Sequence, residues 1–213
     1  MKIGKGQTLL FIGDSITDCG RARPLGERAG LGTGYVSLVD SLIAVNHPGR
    51  KIRVLNTGIG GNRVTDLEHR WEADVVAHAP GWLSIMIGIN DVWRQFDHPR
   101  NPVQVDEARF GETLERIIRS TRRSLAGVVL MTPFYLEKNR DDPMRKRMDE
   151  YGEIVRDMAV RQDAILVDVQ AGFDHYLRDN PTQSLCGDRV HPNLTGHMVI
   201  AKCFLDAVGF TWR

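Results

Sequence analysis

Cysteine is scarce in this chain. Cys19, Cys186 and Cys203 are odd in number, far apart and without a Cys-x-x-Cys pair, which excludes a disulfide framework and a cysteine-based zinc site. Such thiols fit a reducing cytoplasm. No charge of one sign dominates either: 28 Lys and Arg face 27 Asp and Glu, so no strong field draws the chain to nucleic acid or to an anionic membrane. A neutral or polar small-molecule substrate suits that balance. Long apolar runs are missing too; none approaches the roughly 20 residues of a membrane span. The opening MKIGKGQTLLFIG has too short an apolar part for a secretory leader. Without repeats, low-complexity tracts or Ser/Pro linkers, the 213 residues read as a single domain, 1–213.

What the chain does have is alternation. Short apolar runs at TLLFIG (8–13), IRVLN (52–56), WLSIMIG (82–88), VVLMTP (128–133) and AILVDV (164–169) are separated by segments of helical period at 35–45, 64–79, about 104–125 and about 143–161. This is a βαβ pattern, and runs so rich in Val, Ile and Leu suit a parallel sheet covered on both faces. The expected fold is α/β, a three-layer α/β/α sandwich around a five-stranded, mainly parallel sheet. A last helix follows Asn193 as N-cap, with Leu194, Met198, Ala201, Leu205 and Val208 expected on its inner side and Gly209 at its end. The charged stretch LEKNRDDPMRKR (136–147) reads as a long exposed loop, and Trp71 and Trp82 as core.

In open parallel sheets, ligands gather outside the carboxyl ends of the strands. Gly13-Asp14-Ser15, Thr57 to Asn62, and Gly88 to Asp91 all fall at that edge, and Asp188 and His191 precede the last helix. Ser15, with Asp18 three residues on, has the form of a capping box, so it reads either as a helix cap or as a nucleophile. A hydroxyl attacks only with an imidazole beside it, itself oriented by a carboxylate. Among seven histidines, His47 sits in a turn, His69 and His78 in the second helix, His98 in a Pro-flanked loop, and His175 and His197 on helices, all with ordinary structural roles. His191 stands apart: Asp188 lies three residues before it and reaches its ring if the loop curls, although a surface loop or cap is the plain alternative. Two such ligands are too few for a metal. Gly60-Gly61 offers unhindered backbone N–H groups and Asn90 a side-chain amide, as an oxyanion site requires, while turn formation is the structural alternative. Nucleophile, oxyanion donors, base and acid at one sheet edge together describe a centre for acyl transfer.

These residues carry a resemblance. The chain resembles, over essentially its whole length, the SGNH hydrolases or GDSL esterases. GDSITD (13–18), GIGGN (58–62), IGINDVWR (87–94) and DRVHPN (188–193) stand for the family's four blocks, with Ile16 where the name-giving motif has Leu and Gly60 where many members have Ser. The GxSxG elbow of other α/β hydrolases is absent, since residue 17 is Thr. The resemblance implies a flavodoxin-like SGNH fold, Ser15 as nucleophile, Asp188 and His191 as its partners, an oxyanion hole from Ser15, Gly61 and Asn90, and neither metal nor cofactor.

Within the family, GDSITDCGRARP, MIGINDVWRQ and MTPFY followed by DPMR look most similar to the intracellular acetyl xylan esterases. That similarity implies deacetylation of acetylated xylo-oligosaccharides or related acetylated sugars by a cytoplasmic homo-oligomer. A short-chain acyl esterase, thioesterase or lysophospholipase is the alternative within enzymes. A non-catalytic carbohydrate-binding module is the alternative from another class, and it would be expected to lack a triad member. Trp93, three residues past Asn90, offers either a flat face to a sugar ring or a packing surface.

Overall fold

The computed structural model describes residues 1–97 and 103–212. In chain order the elements are β1 (Thr8–Gly13), α1 (Ser15–Asp18), β2 (Gly26–Glu27), α2 (Tyr35–Asn46), β3 (Arg53–Asn56), α3 (Val64–Asp74), β4 (Trp82–Met86), α4 (Ile89–Asp97), α5 (Glu107–Thr121), β5 (Gly127–Met131), α6 (Pro143–Arg161), β6 (Ile165–Val167), α7 (Val169–Leu177) and α8 (Leu194–Ala207). The sheet has six strands in the order β2-β3-β1-β4-β5-β6. The five expected strands form its parallel part. The sixth, β2, is a two-residue strand antiparallel to β3 at the edge, too short to leave a periodic signal.

The central strands β1, β4 and β5 are buried almost throughout, because helices cover both faces. α2, α7 and α8 pack together, and so do α3, α4, α5 and α6. Trp71 and Trp82 lie in the core. The three cysteines are unpaired. Among the described residues no helix is long and apolar enough to cross a membrane; His98 lies outside them.

Two expectations about helices are corrected. Asn193 does cap α8, accepting from the Gly196 N–H at 3.2 Å. Yet the buried stripe runs through His197, Ile200, Ala201, Phe204 and Leu205, which leaves Leu194 65% and Met198 40% exposed on its outer flank. The charged stretch 136–147 is no continuous loop. Asp142 accepts from the N–H groups of Met144 and Arg145 at 2.9 and 3.0 Å, and Pro143 opens α6 with no hydrogen to waste. Arg145, one turn in, is only 2% exposed. Its guanidinium donates to Asp149 at 2.9 Å, to both oxygens of Asp174 at 2.9 and 2.7 Å, and to the Glu137 carbonyl at 2.7 Å.

That arginine anchors the loop after β5, whose Glu137 side chain in turn holds Arg189, two residues before His191, at 2.6 Å. Removing it takes from Asp149 its arginine and leaves Asp174, which only partly reaches solvent, to Arg140 and Gln170. Arg145→Ala is therefore expected to lower unfolding free energy by on the order of 2–3 kcal/mol. The exposed neighbour Lys146→Ala should stay within about 0.5 kcal/mol. Urea denaturation of the two variants checks the contrast.

Candidate active site

The site begins where β1 runs out. A side chain at Gly13 would place its Cβ 2.3 Å from the Met86 carbonyl and 2.4 Å from Thr17 Oγ1, so glycine is required for the strand to turn so close to β4. Asp14 is the next residue and the cap of α1; its Oδ1 accepts from the Ile16 N–H at 3.0 Å. Ser15 is thus the first helical residue and not the cap, and its hydroxyl is left for other work. It lies 2.9 Å from His191 Nε2. His191 Nδ1 lies 2.7 Å from Asp188 Oδ2, and Asp188 Oδ1 accepts from the backbone N–H groups of Val190 and His191 at 3.0 and 2.8 Å. The Asp188–His191 loop therefore curls on its own carboxylate. With Nδ1 donating to Asp188, Nε2 is the ring atom that accepts from the serine. Burial alone would raise the Asp188 pKa, but the hydrogen bonds from the His191 ring and the two backbone N–H groups outweigh it and hold the group below its ordinary value.

The expected oxyanion donors come from two further loops at the same edge. Gly60 packs with its Cα substituent position 3.8 Å from Ser15 Cβ, and Gly61 adopts φ 80°, the left-handed region where glycine is favoured. Gly58 passes so near α1 that a Cβ would stand 2.4 Å from the Asp18 nitrogen. Asn90, buried at the start of α4, donates through Nδ2 to the Asn62 carbonyl at 3.1 Å. This orients the amide and spends one of its two hydrogens.

Other residues, whose contacts the sequence did not disclose, hold these loops together. Asp18 accepts from the Gly60 N–H at 3.2 Å and is gripped by Arg23 at 3.1 and 2.5 Å. Arg70 on α3 donates to the Gly13 carbonyl at 3.0 Å, the Thr57 carbonyl at 2.6 Å, Asn62 Oδ1 at 2.7 Å and Asp74 at 2.6 Å. One guanidinium thus ties the end of β1 to the loop after β3. Asp91, fully buried, accepts from the Val64 N–H at 3.0 and 3.3 Å and pins α3 to α4. Only the polarity of Asp91 beside Asn90 hinted at this; for Arg70 no sequence signal existed, because helical period does not tell which loop an arginine reaches.

Trp93 stands beside the site, half-buried, its ring centroid 6.1 Å from that of His191 and the Arg94 guanidinium 5.5 Å over its indole. His197 is close by but separate. Its Nδ1 accepts from the Tyr35 N–H at 3.2 Å and its Nε2 lies 3.4 Å from Cys19 Sγ. Burial, aided by the His191 charge, pushes its pKa down to about 4, so it stays neutral. Among the described residues no group of three or more His, Cys, Asp or Glu side chains is placed to hold a metal. A serine hydroxyl, an imidazole, a buttressing carboxylate and flanking N–H donors form an arrangement able to transfer an acyl group.

Residues 11–199 match the GDSL-like lipase/acylhydrolase family. The chain is 51% identical to an acetylxylan esterase of Geobacillus stearothermophilus over 100% of its own length and 98% of that protein. The crystal structure of that esterase superposes with a TM-score of 0.98, and so does a catalytic variant of it, S15A. An alpha/beta hydrolase from the metagenome of Lake Arreo, Spain, matches with a TM-score of 0.96 at 44% identity, covering 98% of each chain.

Two buried acids near Ser15 make a pH dependence. Burial raises the Asp14 and Asp91 carboxyls to about 7 each. A group that keeps its proton longer folded than unfolded contributes stability at low pH and loses it as pH rises through its folded pKa. Asp91→Asn keeps an acceptor for the Val64 N–H and cannot ionise. Its melting temperature relative to the parent chain should therefore rise between about pH 6 and about pH 8. Calorimetry at the two pH values checks this, and an unchanged difference contradicts it.

Proposed function

The chain belongs to the GDSL-like lipase/acylhydrolase family, and from that premise we propose that it removes acetyl groups from acetylated xylo-oligosaccharides or related acetylated sugars through an acyl-enzyme on Ser15. It is a carboxylic ester hydrolase, 51% identical end to end to an acetylxylan esterase. The observation that carries the proposed mechanism is the relay of 2.9 and 2.7 Å from Ser15 Oγ through His191 to Asp188.

In the first half-reaction the Ser15 oxygen bonds to the acetyl carbonyl carbon as His191 Nε2 takes the hydroxyl proton. Asp188 stays ionised, holds the ring and stabilises its charged form. The negative oxygen of the tetrahedral intermediate is received by the N–H groups of Ser15 and Gly61 and by the Asn90 amide. Collapse breaks the bond to the sugar oxygen, which leaves with the proton from His191. In the second half-reaction water gives a proton to His191 and attacks the acetyl-serine. Acetate departs and the Ser15 oxygen takes the proton back. The chain's own residues supply every proton transfer, so no cofactor or metal enters the scheme. Trp93, beside His191, offers a flat aromatic face to the sugar that carries the ester.

Three unpaired cysteines support a cytoplasmic setting, and the resemblance to intracellular sugar esterases supports a homo-oligomer. Mass-spectrometric comparison of acetylated xylo-oligosaccharides, short acyl-CoA and lysolipid tests the substrate class. Release of acetate from the saccharides well ahead of the other two is expected; preference for acyl-CoA or lysolipid assigns the thioesterase or lysophospholipase reading instead. Asn90→Ala is expected to remain folded and lose about 10² to 10³ in kcat. A near-parental rate would remove Asn90 from the oxyanion site.

A further inference from the structure

Beside the reactive pair, a second histidine makes the same span of the chain. His197 lies six residues after His191 and Cys19 four after Ser15, and His197 Nε2 stands 3.4 Å from Cys19 Sγ. Among the described residues this is the one hydrogen bond, besides that of Ser15 with His191, that joins residues 188–207 to residues 14–20. Its direction follows from the groups around it. A backbone N–H only donates, and that of Tyr35 meets His197 Nδ1 at 3.2 Å, so Nδ1 carries no proton. The ring is neutral, because burial and the nearby His191 charge push its pKa down to about 4. Its single N–H is therefore on Nε2 and donates to the Cys19 sulfur. The thiol has its own outlet in Thr33 Oγ1 at 3.6 Å, and the Thr33 hydroxyl and N–H both donate to the Cys19 carbonyl, at 3.3 and 2.9 Å. Donors thus run one way, from α2 through α8 to the end of α1.

The packing around this bond is close. A Cβ at Gly34 would stand 2.8 Å from Cys19 Cβ, 2.9 Å from its sulfur and 3.0 Å from His197 Cε1, so the backbone before Tyr35 approaches both residues as only glycine allows. The Tyr35 ring lies nearly parallel to that of His197, with centroids 6.5 Å apart, and its hydroxyl meets Thr17 Oγ1 of α1 at 3.0 Å. At its other end, the first turn of α8 is bound to the loop that carries the relay. The Asn193 N–H and Nδ2 donate to the Leu185 and Ser184 carbonyls at 2.7 and 2.9 Å, and the His197 N–H donates to the Asn193 carbonyl at 2.9 Å. A shift of His197 relative to Cys19 is therefore passed on to His191 relative to Ser15.

Resting on the reading of Ser15 as nucleophile, we propose that His197 is a positioning residue, which ties the helix behind His191 to the segment behind Ser15 through its Nε2–H bond to Cys19 and so holds nucleophile and base in register. It takes no part in the proton transfers, and its work is geometric. Its two ring nitrogens are separable by substitution. Counted in bonds from Cβ, the asparagine oxygen matches Nδ1 and the glutamine nitrogen matches Nε2, so His197→Asn keeps the bond to Tyr35 and His197→Gln the bond to Cys19.

The test is hydrolysis of p-nitrophenyl acetate, with kcat and KM measured separately below the melting temperature of every variant, for the parent chain, the two His197 variants, Cys19→Ala and Cys19→Ser. His197→Asn and Cys19→Ala are expected to lose about 10- to 100-fold in kcat with KM within about twofold, as a displacement of about 1 Å at a reacting pair does. His197→Gln and Cys19→Ser, which keep a donor and an acceptor in place, are expected to stay within about fivefold of the parent. Cys19 is partly exposed, so its two variants keep the test decisive if a His197 variant does not fold. A parental kcat in Cys19→Ala overturns the tie whatever the histidine variants do, and so do equal losses in His197→Asn and His197→Gln, which packing alone would produce. Undiminished turnover by Ser15→Ala removes the nucleophile reading instead.

Discussion

A serine hydroxyl is a poor nucleophile in water, and an imidazole activates it only from hydrogen-bond distance and in one tautomer. The 2.9 Å contact of Ser15 with His191 joins residues 176 apart in the chain, and much of the fold serves to bring it about. β1 delivers Ser15 to the carboxyl edge of the sheet, and Asp14 takes over the capping duty that would otherwise occupy its hydroxyl. On the other side, Asp188 gives one oxygen to the backbone of its own loop and the other to the imidazole. The carboxylate thereby shapes the loop that it electrostatically completes.

Bringing three strand-end loops to one point is the second demand, and buried charge meets it. Arg70 spends its donors on two carbonyls, an asparagine and an aspartate from three segments. Lysine could not reproduce that planar fork. Asp18 and Asp91 hold the Gly60 and Val64 N–H groups. Asp91 does so with no cation bonded to it among the described residues, and its burial raises its pKa to about 7. Such groups cost desolvation, which the hydrogen bonds only partly offset. Rigid placement of the proposed oxyanion donors is what that cost is exchanged for.

Much of this was legible in the sequence, for physical reasons. The Asp188–His191 pair is local, three residues apart, and a loop has few ways to curl. Ser15, Gly61 and Asn90 are distant in sequence, but the rule that parallel strands end at one edge converges them without any contact information. What stayed hidden depended on distances that periodicity does not carry. Arg70 and Arg145 are charged residues on helices, and only the packed chain shows that one binds strand-end carbonyls and the other is buried. Likewise β2 is too short to alternate. The helix cap proved to be one residue earlier than Ser15, and the inner stripe of α8 is centred on His197 and Phe204 instead of Leu194 and Met198.

The account stands or falls on covalent chemistry at Ser15. Rapid acid quench of the enzyme during its first turnover of an acetylated xylo-oligosaccharide, followed by peptide mass spectrometry, measures it directly. The account predicts a transient acetyl group on Ser15, formed in a burst before steady-state release of acetate and absent from Ser15→Ala. Turnover with no acetylated peptide, or with the acetyl group on Cys19 of the same segment, would contradict it.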